Sequence, residues 1–150
     1  MALITAQQVI DECINNVNFD PSLIKDSYIL AAEYEFIKPF LGIDFYDALV
    51  LSPLTYSDLT EYLYKALKWY TLYKSLPFIH LHLGSQGIMI NNVNYAQQAS
   101  SKQRGEIASM AISIGDTYLR EAKVHIINNI EDYPLFNCSD SKRFLGGIIL

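Results

Sequence analysis

The stretch Ser27–Leu49, SYILAAEYEFIKPFLGIDFYDAL, limits what this chain can fold into more than any other segment. On a helical projection Leu23, Leu30, Tyr34 and Ile37 line one side, and Ile29, Ala32, Phe36 and Phe40 line another. Only a narrow polar strip with Asp26 and Glu33 is left, so the helix requires partners on most of its sides. Pro39 is predicted to stop it and Gly42 to let the chain turn. A short second helix over Ile43–Leu49 follows, with Asp44 and Asp47 outward and Ile43, Tyr46 and Val50 inward. This helix is expected to be the hub for the first, fourth and long fifth helices.

Composition decides what the hub can belong to. A chain of 150 residues with 51% hydrophobic and 18% charged residues is predicted to be one globular domain with a real core. Eleven tyrosines and the low charged fraction lean towards an oligomer, because aromatic area is enriched at protein contacts. The net charge of -5 and the absence of a Lys/Arg run argue against gripping nucleic acid. Cys13 and Cys138 have no metal or disulfide spacing and read as reduced residues. The start MALITAQQ lacks a signal-peptide pattern and no apolar run reaches transmembrane length, so a soluble cytoplasmic product is expected.

Along the chain, Thr5 and Gln8 form a capping box that opens a first helix ending near Asn15, closed by the segment NNVN. Asp20 followed by Pro21 is predicted to start the central helix, which runs to about Lys38. Ser57 or Asp58 caps a fourth helix to about Ser75. One of its stripes holds Leu59, Leu63, Ala66, Tyr70 and Tyr73, and a second holds Tyr62, Trp69 and Leu76. Two stripes imply burial on two sides, the second a candidate for contact between molecules. Gly87 with Ile88, Met89 and Ile90 is a strand signal too short to stand alone, so it needs a partner in this chain or a neighbour. A long helix is predicted from about Asn94 to Ile130, with Ile107, Ala111, Ile114, Tyr118, Ala122 and Ile126 on its apolar face and an Asp116–Arg120 pair. Gly105 and Gly115 weaken that helix unless a neighbour comes close. The expected fold is mainly α: a four- to five-helix bundle over residues 1–136, a long C-terminal helix, one short strand or hairpin, and an extended tail over 137–150.

No residue pattern carries chemistry. His80 and His82 are two apart without a third ligand, and His125 stands alone. Glu33 and Glu35, like Asp44 and Asp47, read as solvated acids. LGIDFY, LGSQG and LGGIIL fit neither phosphate-binding nor dinucleotide-binding loops. The reading is a protein whose product is a surface: no enzyme, no cofactor and no metal.

The segments ITAQQVIDE (4–12), AAEYEFIKPFLGIDFYDAL (31–49), LYKSLPFIHLHLGSQGIMI (72–90) and NNIEDYPLF (128–136) together resemble the small helical head–tail connector proteins of tailed bacteriophages. The likeness is closest to the ring proteins of crAss-like phages. It rests on an N-terminal helix, a buried helix ending in an I-x-P-x-L-G turn, an aromatic helix, a Gly-preceded strand and a long C-terminal helix. The resemblance implies a homo-oligomeric ring, commonly of twelve subunits, in the virion neck. Such a ring docks beneath the portal protein, binds further neck or tail proteins, and extends a channel through which DNA passes without specific binding. No membrane is involved, and assembly takes place in the host cytoplasm. A head-to-tail ring needs two different surfaces. The interface candidates are Tyr62, Trp69 and Tyr73 on one side, and Ile88, Met89 and Ile90 on the other, with Phe144 and Ile148 in the tail. Channel-lining candidates are Glu106, Asp116 and Glu121, an acidic lining being one that DNA slides past. The rival readings are a small helical ligand-binding or regulatory protein, including a helical transcription regulator, which lacks the basic recognition helix it would need.

Overall fold

The computed structural model describes residues 2–14, 20–79, 81–84, 87–90 and 101–136, with the backbone alone for 81–84, 87–90 and Ser101. The NNVN segment, His80, Cys138, the helical stretch expected over 94–100 and the tail over 137–150, with Phe144 and Ile148, lie outside the described residues. Helix α1 spans Ala6–Cys13 and opens on the expected capping box: the Gln8 N–H donates to the Thr5 hydroxyl, and the Gln8 side chain accepts from the Thr5 N–H. Asp20 caps only a three-residue 3₁₀ turn, Pro21–Leu23, and α2 starts afresh at Asp26, running to Ala32. The predicted start at Asp20 is therefore a turn. Its cap is satisfied locally, and Ile24, in an extended conformation, breaks the ladder to reach the core.

The largest departure follows. Past Ala32 the helix widens into a π turn over Glu33–Ile37, closed by the Lys38 N–H donating to the Glu33 carbonyl, and then continues as α3, Lys38–Leu41. Pro39 therefore lies within the rod. A proline ring clashes with the carbonyl four residues back and removes one N–H; a widened turn just upstream accommodates both. The rod ends at Gly42, whose φ of +83° is the left-handed conformation expected there. Helix α4 then spans Ile43–Leu51. Phe45, Tyr46 and Leu49 face the core; Ile43, expected inward, is 64% exposed, the inward position at the start of α4 being taken by Phe45 instead.

A 3₁₀ turn at Pro53–Tyr56 leads into α5, Ser57–Ser75. Two short strands, β1 (Leu81–Gly84) and β2 (Gly87–Ile90), pair antiparallel with Leu81 opposite Ile90 and Leu83 opposite Ile88. The strand signal at Gly87–Ile90 thus finds its partner in the preceding segment of the same chain. Helix α6, Ser101–Asn128, and a 3₁₀ turn at Ile130–Asp132 complete the described elements. The fold is mainly α: the described residues form five helical rods, the last long, and one hairpin.

The hub is α5. Helices α1, α2 and α6 all pack on it, α6 most extensively. Leu59, Leu63, Ala66, Leu67, Tyr70 and Leu72 are buried around its circumference. The expected hub, α2 with its π turn, is one of the layers around this post. Phe36 shows the layering: it stacks on Tyr70 with ring centroids 4.0 Å apart. The apolar face of α6 is carried by Ala111, Leu119, Ala122 and Ile126, while Ile107, expected on it, is exposed.

Candidate functional site

The π turn aims Glu33 inward. Its side chain is fully enclosed, 0% exposed, where the helical projection had put it on a solvated strip. One carboxyl oxygen accepts the Leu3 N–H at 2.7 Å and the other accepts the Tyr46 hydroxyl at 2.8 Å. Donors from residues thirty positions earlier and thirteen later satisfy it, as a buried polar group requires. The Tyr46 phenol is pushed well up from its ordinary range by burial and by the Glu33 carboxyl it donates to. Tyr64 is raised too, first by burial and then by Glu33. Lys38 lies 5.2 Å over the Tyr46 ring and 5.7 Å over that of Tyr34. With both oxygens occupied and no exposed surface, Glu33 acts as a clamp between the N-terminal strap, the central rod and α4. Glu35, two residues on, is exposed and forms an ion pair with Lys74.

A second buried carboxyl lies on α6. Asp116, 7% exposed, accepts the Tyr70 hydroxyl at 2.5 Å. The preceding residue explains the fit: a Cβ on Gly115 would stand 2.7 Å from the Tyr70 ring, so only glycine lets α6 come this close to α5. Asp116 therefore engages α5 and not Arg120, and its burial removes it from the channel-lining candidates. Glu106 and Glu121 are exposed on α6.

The aromatic candidates are half-buried. The Tyr62 ring is 5.6 Å from that of His125, whose Nε2 is 2.9 Å from the Tyr133 hydroxyl. Tyr73 meets Phe36 edge-on at 6.2 Å. Trp69 packs against the core, and its buried Nε1–H has no hydrogen-bond partner. The second stripe thus works largely within the fold, and only the uncovered parts of these rings face outward. Ile88, Met89 and Ile90 make up most of β2. Burial, helped by the neighbouring Glu12, pushes the Cys13 thiol up to about 12, which makes it a poor nucleophile.

More exposed apolar side chains lie elsewhere. Met110, Val124 and Ile127 on α6 are each about half exposed. Leu51 and Leu54, at the end of α4 and in the next turn, are 84% and 90% exposed. In the sequence, the two leucines around Pro53 in LSPLT were the available signal. Ile43 adds to this group. It stands between two open hollows that share Gly42, Ile43 and Asp44 as lining. One, of about 590 Å³, is completed by Tyr34, Lys38 and Pro39. The other, of about 350 Å³, is completed by Leu41, Phe45 and the turn Pro134–Phe136. Among the described residues no cluster of His, Cys, Asp or Glu is arranged to hold a metal, and no helix is long and apolar enough to cross a membrane.

In comparison with known proteins, residues 21–144 match DUF6712, described as a family of unknown function. No curated protein and no solved structure matches the chain.

Proposed function

The chain belongs to the DUF6712 family, and we propose that it is a structural virion protein: a ring subunit that joins the portal to the tail and extends the DNA channel. The observation that carries this reading is the pair of outward apolar surfaces on different elements. Met110, Val124 and Ile127 lie on α6; Ile43, Leu51 and Leu54 lie on α4 and the turn after it. Exposed apolar side chains that lie together mark interaction sites, as Val124 with Ile127 one helical turn on and Leu51 with Leu54 do, and a head-to-tail ring needs two unlike surfaces that match. The sequence likeness to phage connectors points the same way, as does a net charge of -5, which suits a conduit that DNA must not stick to.

The half-buried Tyr62, Trp69 and Tyr73 contribute the margin of one contact in this proposal, and the exposed leucines and α6 residues contribute its centre. Glu106 and Glu121 remain the channel-lining candidates. The test is electron microscopy and mass measurement of the full-length chain, alone and with the portal protein encoded near its gene. Closed rings on the portal are expected. Val124→Asp or Leu54→Asp should abolish them while leaving the helical circular dichroism unchanged. A chain that stays monomeric or dimeric beside its portal protein overturns the proposal.

A further inference from the structure

We propose that the apolar end of the C-terminal segment, FLGGIIL at 144–150, docks on its own chain across the two hollows beside Ile43. The surface offers a short peptide two open concavities side by side, the larger more apolar than polar and the smaller more polar, both lined by Ile43, which is 64% exposed. The segment matches that shape. Phe144–Leu145 and Ile148–Leu150 are two apolar groups separated by Gly146–Gly147, a pair of residues that lets a backbone bend from one hollow to the other.

The exit point of the chain selects the occupant. Phe136 lines the smaller hollow and is pinned there, its N–H donating to the Tyr133 carbonyl and its ring 5.9 Å from Phe40. Between it and Phe144 lie seven residues, NCSDSKR, all but the cysteine polar or charged. Such a linker spans about 15 Å root-mean-square as a flexible coil and about 23 Å when extended, enough to return to a hollow that starts at its own root. A tether this short holds the segment at an effective concentration on the order of millimolar, so its own groove competes well with that of another molecule. Lys142 and Arg143 immediately precede Phe144, and Asp44, which lines both hollows, is the counter-charge available to them. Lys38 lines the larger hollow and is held over the Tyr34 and Tyr46 rings.

Docking would cover Ile43 and Tyr34, two of the large apolar groups otherwise exposed, and make the groove a site that a partner must empty or share. The test uses the full-length chain with Cys13→Ala and Cys138→Ser, carrying Ile43→Cys together with Ile148→Cys, under mild oxidation at low micromolar concentration. An intramolecular disulfide, seen as a faster-migrating monomer on a non-reducing gel, is the expected result. Adding Phe144→Asp should reduce its yield several-fold. In the otherwise natural chain, Phe144→Asp should shift the amide resonances of Gly42, Ile43 and Leu135 and leave those of α1 unmoved. Disulfides only between molecules would assign the groove to a neighbouring copy's tail and overturn own-chain docking. No disulfide, or unchanged groove resonances, would overturn it as well. Neither outcome depends on whether the chain forms a ring.

Discussion

The two buried carboxyl groups make an instructive pair. Glu33 and Asp116 each accept a tyrosine hydroxyl, from Tyr46 and Tyr70 respectively. Glu33 also takes a backbone N–H from Leu3 and is completely enclosed, whereas Asp116 sits at the margin of the α5–α6 contact. Glu33 unites three segments that are far apart in the chain, and its position depends on a widened helical turn. Asp116 reinforces two helices that already share a large apolar contact. The first polar group organises the fold; the second adjusts the spacing of elements that hydrophobic burial brings together.

Glu33→Ala tests that difference most severely. It leaves the Leu3 N–H and the Tyr46 hydroxyl buried without an acceptor and opens a cavity, so a loss of about 3–5 kcal/mol is expected in chemical denaturation. Glu33→Gln, which keeps an acceptor, should lose less than half of that, and in both variants hydrogen exchange should speed up at Leu3. If Glu33→Ala costs no more than Asp116→Ala, the contrast between the two sites is wrong.

Next comes Gly115→Ala. A methyl group there meets the Tyr70 ring, and overpacking of this kind costs about 1–3 kcal/mol, against which alanine's better helix propensity returns about 1. The damage should stay at the α5–α6 contact, leaving exchange at Leu3 unchanged. A stabilised variant would show that the Tyr70 ring can swing aside.

A smaller effect is expected from Thr5→Ala, which removes the cap that starts α1 just after the Leu3 anchor. It should cost about 1 kcal/mol. Combined with Glu33→Ala its effect should shrink, because the strap it supports is already released; full additivity would separate the cap from the clamp.

The last test acts only in alkali. Tyr46, Tyr64 and Tyr133 are all raised by burial above the ordinary tyrosine range. A folded state that holds these protons more tightly than the unfolded chain keeps its full advantage below the unfolded value of about 10 and loses it as pH rises through the folded values. The Cys13 thiol, raised in the same way, adds a loss that begins near the unfolded thiol value of about 8.5. Thermal melts should therefore be flat from pH 7 to about 8, decline gently above that, and fall more steeply above 10. Tyr46→Phe should flatten part of that fall, and an unchanged profile would place the titration elsewhere.

What could be read from the sequence was local. The Thr5–Gln8 capping box, the turn at Gly42, the extent of α5 and the strand at Gly87–Ile90 each depend on backbone chemistry within a few residues, and all stand in the structure. Only the tertiary structure decided the rest. Whether Glu33 meets water or an N–H depends on Leu3, thirty residues away; whether Asp116 pairs with Arg120 or Tyr70 depends on which helix lies against Gly115. Pro39 passes within the rod because the π turn before it makes room, and α5 becomes the post because α1, α2 and α6 all pack on it. A helical projection measures how apolar each face of an isolated rod is. The partner that face meets, and so the fate of a polar residue on it, is set by contacts between segments far apart in the chain.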